Sequence, residues 1–193
     1  YEPFTTTFNL SVKEPDDSHT KFKVYKERIE ALSYFDKKES YLASQHFVWG
    51  KGKNLHRLVQ RNVYDSERNP SLIKEFVYDK RGFPVEEIYH GFVTSHGVPA
   101  IETQENMYQS GGETWKEKAT WDDAGHLLSL MDADGNWTYF EYDRSFVTAK
   151  YVCNKKKKII RREFATYDTA GNLTELINDD RPHRNKENLE GAT

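Results

Sequence analysis

The chain has 193 residues, a formal net charge of -3, and 4 Trp, 12 Tyr and 11 Phe. That aromatic load at near-neutral charge excludes a solvated disordered tail, although Leu, Ile, Val and Phe together number only 41, a low aliphatic content for a globular domain. No apolar run approaches the ~18 residues a membrane span needs, so no membrane span is expected. Cys153 stands alone, which excludes an internal disulfide framework without excluding export. The first residue is Tyr1 rather than Met, as in a processed or excised segment. A polar, Tyr-rich, nearly neutral composition describes a sheet with at least one wet face.

Residues 1–33 read as N-terminal strands and a linker, or as a first degenerate repeat, with Glu14-Pro15-Asp16-Asp17-Ser18-His19 as the loop. Tyr25, Ile29, Leu32 and Phe35 fall at helical spacing. The same stretch alternates in part and lies among β-like neighbours, which favours strand up to a turn at Asp36-Lys37-Lys38-Glu39. From 34 to 180 the chain repeats. Its unit is an aromatic-Asp-x-x-Gly box: Tyr78-Asp79-Lys80-Arg81-Gly82, Trp121-Asp122-Asp123-Ala124-Gly125 and Tyr167-Asp168-Thr169-Ala170-Gly171. Two boxes keep the Tyr-Asp pair without the Gly, at Tyr64-Asp65 and Tyr142-Asp143. A looser relative runs from Trp49 to Leu55, with Gly50 where Asp is expected. The anchors advance by 15, 14, 43, 21 and 25 residues from Trp49, and the 43 reads as two periods with a degenerate box near Tyr108. Self-similarity at this spacing indicates an array of stacked supersecondary units.

The box is hairpin chemistry. Asp opening a type I turn accepts the turn's own N–H groups, and Gly three residues later supplies a left-handed backbone. Positive φ is therefore expected at Gly82, Gly125 and Gly171. Between the boxes lie strands such as Glu113 to Trp121, which alternates with a lapse at Glu117, and Trp137 to Tyr142. Further turns are marked by Asp134-Gly135, Gly111-Gly112 and His96-Gly97, giving about 14 strands in all. Residues 181–193 read as a frayed polar tail.

Tyr167 to Leu173, Tyr-Asp-Thr-Ala-Gly-Asn-Leu, resembles the YD repeat of RHS-type proteins, and Trp121 to Tyr142 is similar to one full repeat. The resemblance covers about residues 34–180. It implies an all-β array of antiparallel β-hairpins forming a curved strip, like a section of an RHS/YD-repeat shell. In that family the shell belongs to toxin-associated secreted or surface proteins and encloses a toxic cargo or presents a recognition surface. The eroded boxes, and the lack of a cleavage motif or toxin-like C-terminal region, leave self-cleavage and cargo release outside what the resemblance implies.

Other candidates have bland readings. Asp132-Ala133-Asp134-Gly135-Asn136 opens like a calcium loop but places Gly fourth and Trp137 sixth, the wrong register, so a hairpin turn is expected. Asp122-Asp123 and Asp179-Asp180 sit at expected turns. The seven His show no metal spacing, and His126 fills a variable slot after a box Gly, where a surface polar residue is expected. Cys153 reads as a small strand residue. Lys155, Lys156, Lys157, Lys158, Arg161 and Arg162 form a candidate anion-binding patch, or more economically a solvated hairpin tip. Exposed aromatics would suit a glycan, whereas box aromatics suit packing between repeats.

These observations define a non-catalytic scaffold with no expected cofactor, no catalytic residue and no metal site. The alternative is a glycan- or protein-binding surface module using exposed aromatics. About 14 strands at ~4.8 Å make a strip roughly 67 Å wide, whereas a folded guest of ~100 residues needs a circumference above roughly 105 Å. Such a strip cannot enclose a cargo alone. Its expected partners are flanking repeats or other chains at the sheet edges, with a glycan or protein cargo as further candidates and no nucleic acid.

Overall fold

The computed structural model describes residues 7–91, 100–102, 108–110 and 114–180, with 100–102 and 108–110 described as backbone alone. The expected turns at His96-Gly97 and Gly111-Gly112 and the tail 181–193 lie outside the described residues. The chain is all-β. Its strands are β1 (Thr7–Lys13), β2 (His19–Tyr25), β3 (Arg28–Phe35), β4 (Tyr41–Trp49), β5 (Leu58–Tyr64), β6 (Pro70–Tyr78), β7 (Pro84–Gly91), β8 (Ala100–Glu102), β9 (Tyr108–Ser110), β10 (Thr114–Trp121), β11 (Leu127–Met131), β12 (Trp137–Asp143), β13 (Phe146–Cys153), β14 (Ile159–Tyr167) and β15 (Leu173–Asp179). Thirteen form one antiparallel meander in chain order, while β8 and β9 pair separately. Because β7 neighbours β10 in that order, the 43-residue gap between Tyr78 and Trp121 is one period carrying an insertion rather than two periods. Tyr108 opens β9.

Two features near the N-terminus become specific. Glu14 to Ser18 is a tight turn that pairs β1 with β2 in full register, so the first strand is part of the sheet. The stretch with helical spacing is a hairpin: Tyr25 pairs with Arg28 across a two-residue turn, Lys26-Glu27, with φ of 47° and 63°. Neither residue is a usual occupant of such a turn, which favours Asn-Gly.

The described chain divides into two compact units, Tyr1–Val77 with Glu87–Trp115, and Tyr78–Glu86 with Lys116–Thr193. In the first, Leu10, Phe22, Leu32, Gln45, Val63 and Leu72 form one cross-strand line. The opposite face carries the more sheltered residues His19, Ser44, Asn62 and Ile73. In the second unit the line Thr120, Ser129, Tyr139, Tyr151, Arg162, Asp179 runs across six strands. Four of its members are buried, as are Ala149 and Cys153, which alternate with Tyr151 on the same face of β13. Aliphatic residues such as Leu128, Leu130 and Leu176 stay exposed.

The sheltered side of each unit is therefore filled largely by aromatic and hydrogen-bonded polar groups. With so small an aliphatic core, the turns carry much of the structural specification. Replacing Lys26-Glu27 with Asn-Gly puts residues that readily adopt left-handed backbone at both positions and should stabilise the protein by about 1 kcal/mol. Thermal unfolding checks this, and an unchanged or lower Tm would contradict the assigned turn.

Candidate functional site

Among the described residues, eight turns share one hydrogen-bond pattern. Residue 1 donates its N–H to the carbonyl of residue 5, and residue 4 donates to the carbonyl of residue 1. They begin at Glu14, Asp36, Asp65, Asp79, Asp122, Asp132, Asn154 and Asp168. Residue 4 is left-handed in all of them: Asp17, Glu39, Arg68, Gly82, Gly125, Gly135, Lys157 and Gly171. For the three box glycines the φ values are 101°, 90° and 86°.

In seven of these turns the first side chain holds the turn from within; in the Glu14 turn Asp16 Oδ1 accepts the Ser18 N–H instead. Asp79 Oδ1 accepts the N–H groups of Arg81, Gly82 and Phe83 at 2.9, 2.7 and 2.9 Å. Asp168 Oδ1 accepts those of Ala170 and Asn172 at 2.9 and 2.8 Å, and Asp65 those of Glu67 and Asn69. Asn154 does the same with an amide oxygen, accepting from Lys156 and Lys158. The Asp132–Asn136 run is another such turn: Asp132 Oδ1 accepts Asn136 N–H, and Oδ2 accepts the Asn136 amide. Among the described residues no three His, Cys, Asp or Glu side chains converge on a metal position.

Not every Tyr-Asp pair marks this turn. Asp143 ends β12, and the following turn has two residues, Arg144-Ser145, with Arg144 at φ 55°. Tyr64 and Tyr78 flank the single strand β6, so their turns stand at its opposite ends. The Trp49 loop is longer, closed by Gly50 and Arg57 around a short 3-10 turn, Gly52–Asn54.

Successive turns are joined by rings. In the second unit Phe83 stacks on Trp121 at 5.4 Å, His126 on Tyr142 at 4.8 Å, and Phe146 packs on Tyr167 at 4.9 Å. Three box aromatics also donate to the neighbouring strand: Trp121 Nε1 to the Pro84 carbonyl, Tyr142 Oη to Leu127, and Tyr167 Oη to Val147, at 2.7, 2.9 and 3.1 Å. Burial, reinforced by the charge of Asp122, pushes the Tyr142 hydroxyl pKa up. A Cβ at Gly125 would stand 3.2 Å from the Phe83 ring, and one at Gly171 only 2.8 Å from Phe146. Glycine is thus required twice, by φ and by the ring seated on the turn. His126 is a part of this ladder rather than a loose surface residue: its ring is stacked, and its Nδ1 lies 2.8 Å from Asp122 Oδ2. Arg81 bridges two turns, bonding Asp79 through Nε and Asp122, Asp123 and Trp121 through its terminal nitrogens.

The basic run divides. Lys155, Lys156, Lys157 and Lys158 form an exposed tip. Arg161 pairs with Glu163 at 2.7 Å and Asp180 at 3.4 Å. Arg162 turns to the sheltered face, where it is fully buried against Asp179, its directly opposed partner on β15. It takes no part in an exposed patch. Asp122-Asp123 and Asp179-Asp180 are likewise engaged in turn and ion-pair contacts. Cys153 is buried, and that burial raises its thiol pKa, which keeps it in the unreactive thiol form.

The described surface also carries several concavities, two of them lined by aromatic rings and turn residues. One of about 530 Å³ lies in the second unit beside Glu141, Phe146, Tyr151, Phe164 and Tyr167. Another of about 310 Å³ lies in the first unit and includes Phe35, Tyr41, Ser44, His46, Tyr64 and Arg68. No helix among the described residues is long and apolar enough to cross a membrane.

A meander of turn-locked hairpins, joined by rings from turn to turn, defines a β-repeat protein. Comparison with solved structures gives that class a closer description. The chain matches "Crystal Structure of TcdB2-TccC3-Cdc42" with a TM-score of 0.53 at 12% identity, over 90% of this chain and 10% of that one. "Crystal Structure of TcdB2-TccC3-TEV" matches with a TM-score of 0.47 at 13% identity, over 91% and 11%. The first match establishes likeness of fold to a section of a Tc toxin RHS-repeat shell, as the boxes imply, and the chain spans about a tenth of the matched length. No family model matches, and no curated protein matches.

The turn carboxylates predict an acid response. For Asp36, the backbone bond from Ser40 leads in holding the pKa below the ordinary value. For Asp168, the side-chain bond from Asn172 leads, followed by that residue's N–H. For depressed carboxylates, the stabilising contribution is present above the unfolded-state pKa, about 4, and is lost as pH falls through the folded value. The double variant Asp36→Asn/Asp168→Asn should still fold at pH 7, as Asn154 does in the same role, but lose less stability between about pH 4 and pH 2. Identical acid dependence in variant and parent, measured by denaturant unfolding, would contradict this.

Proposed function

We propose that this chain is a section of the wall of a larger RHS-type shell, a non-catalytic scaffold in a secreted or surface, toxin-associated protein. Its partners are flanking repeats that continue the sheet through its edge strands. The observation that carries this reading is the character of those edges. Among the described residues β1 pairs with β2 alone and β15 with β14 alone. On β1, Phe8, Leu10 and Val12 are 51%, 53% and 42% exposed, and the strand has one charge, Lys13, and no proline. On β15, Leu173 and Leu176 are similarly open.

A free edge with this composition is a template for another strand, and soluble proteins usually blunt such edges with charge, proline or a bulge. Continuation of the sheet satisfies both the unpaired backbone and the exposed apolar side chains. The fold match, spanning nearly all of this chain and a small part of a much longer one, supports the same reading.

Light scattering on the isolated chain provides the test. At about 100 µM the chain should associate through its edges, and Leu10→Lys should shift it toward monomer while leaving its thermal transition within a few degrees. A monomeric parent, or association indifferent to Leu10→Lys, would count against the wall reading.

A further inference from the structure

Four of the eight turns place a non-glycine residue in the left-handed position, and the box starting at Tyr64 is one of them. At the left-handed position, where the three full boxes use Gly82, Gly125 and Gly171, it has Arg68 at φ 66°. The turn pattern is otherwise intact, with Asp65 Oδ1 accepting the N–H groups of Glu67 and Asn69 at 2.9 Å each. A non-glycine residue in this conformation is strained, and such strain persists where the surroundings hold the residue in place. The Arg68 guanidinium carbon lies 5.0 Å from the centre of the Tyr41 ring, at the cavity of about 310 Å³. No ion pair joins Arg68 to a carboxylate among the described residues.

The cavity has the chemistry of a small-ligand site: concave, aromatic, and provided with a few convergent polar groups. Phe35, Tyr41 and Tyr64 line it and are half-buried, so part of each ring remains exposed. Phe35 meets Tyr41 edge-on at 5.9 Å, and His46 lies against Tyr64 at 4.7 Å. Ser44, 5% exposed, accepts a 2.8 Å hydrogen bond from Tyr41 Oη, with His46 Nε2 at 3.5 Å from its Oγ. Rings fixed by mutual contact and a buried hydroxyl network preorganise the lining, reducing the entropy a ligand must overcome.

We propose that this cavity binds a carboxylated pyranose, the acid group on Arg68 and the sugar ring against the aromatic wall. The volume admits a single sugar ring. Arg68 supplies a planar fork matched to a carboxylate, and among the described residues no carboxylate of the protein pairs with it. Hydroxyls of Tyr41 and Ser44 suit polyol recognition, and aromatic faces suit the apolar faces of a pyranose. Uronic acids and sialic acids share this chemistry. The site goes beyond the scaffold reading and is independent of it: a wall section with or without exposed edges can bind a sugar on its face.

The test uses the full chain in ligand-observed and protein-observed NMR titrations. The probes are methyl β-D-glucuronide, the methyl α-glycoside of N-acetylneuraminic acid, methyl β-D-glucoside, sodium acetate and inorganic phosphate. At least one carboxylated glycoside should bind with a Kd of about 1 mM or tighter, and its identity separates the uronic from the sialic source. The neutral glucoside, acetate and phosphate should each bind at least about tenfold more weakly. Arg68→Gly should raise Tm by relieving the left-handed strain and weaken the carboxylated ligand at least about tenfold; Arg68→Gln should weaken it equally. The proposal is overturned if neither carboxylated glycoside binds, if a neutral sugar or a bare anion binds as well, or if Arg68→Gly leaves affinity unchanged. A fall in Tm for Arg68→Gly would also overturn it, because Arg68 would then be serving the fold.

Discussion

The structure depends on the contact between a side chain that follows one turn and the left-handed residue of the next turn in the same row. In the second unit Phe83 sits on Gly125 and Phe146 on Gly171. In the first unit the corresponding contacts are polar: His19 Nε2 lies 3.2 Å from Glu39 Oε2, and Tyr41 lies under Arg68. A single-layer sheet with few buried aliphatics cannot rely on a deep core to set register. Here seven of the turns are fixed internally by their leading Asp or Asn, and several also externally by a neighbouring side chain. Box aromatics such as Trp121 and Tyr167 add a hydrogen bond back to the adjoining strand.

This arrangement explains why the box has its particular residues. Asp accepts the turn's N–H groups through one oxygen, leaving the other for Arg81, His126, Asn136 or Asn172. Gly at the fourth position allows both the backbone conformation and the ring approach. Where Glu39 and Arg68 stand in place of Gly, the substituent lies against the ring instead of vacating space for it, Glu39 beside His19 and Arg68 over Tyr41. The erosion of the box in the first unit is therefore a change of contact chemistry within a retained turn. A left-handed Arg68 above an aromatic cavity is one product of that change.

Much of the fold could be read from residues whose local chemistry suffices. Asp79-x-x-Gly82 and its copies specify a turn by themselves, and alternation in Thr114–Trp121 specifies a strand even with Glu117 on its half-buried side. What escaped depends on neighbours remote in sequence. Lys26-Glu27 turns the chain without a turn residue because β2 and β3 pair strongly on either side. His126 looks like a variable polar residue until Tyr142 is placed beside it, and Arg162 looks like part of a basic run until Asp179 is placed opposite. Asp143 repeats the Tyr-Asp signature but serves a different turn, because Arg144 takes the left-handed position one residue after it. The candidate cavity was legible only as scattered aromatics, since its members come from three strands and a turn.

Proton NMR tests the ring-on-turn contact most directly, because a glycine α-proton seated against a ring gives a strong NOE to it. The account predicts NOEs from an α-proton of Gly171 to the Phe146 ring and from one of Gly125 to the Phe83 ring, in the folded parent at neutral pH. The absence of both NOEs in the folded parent would contradict it.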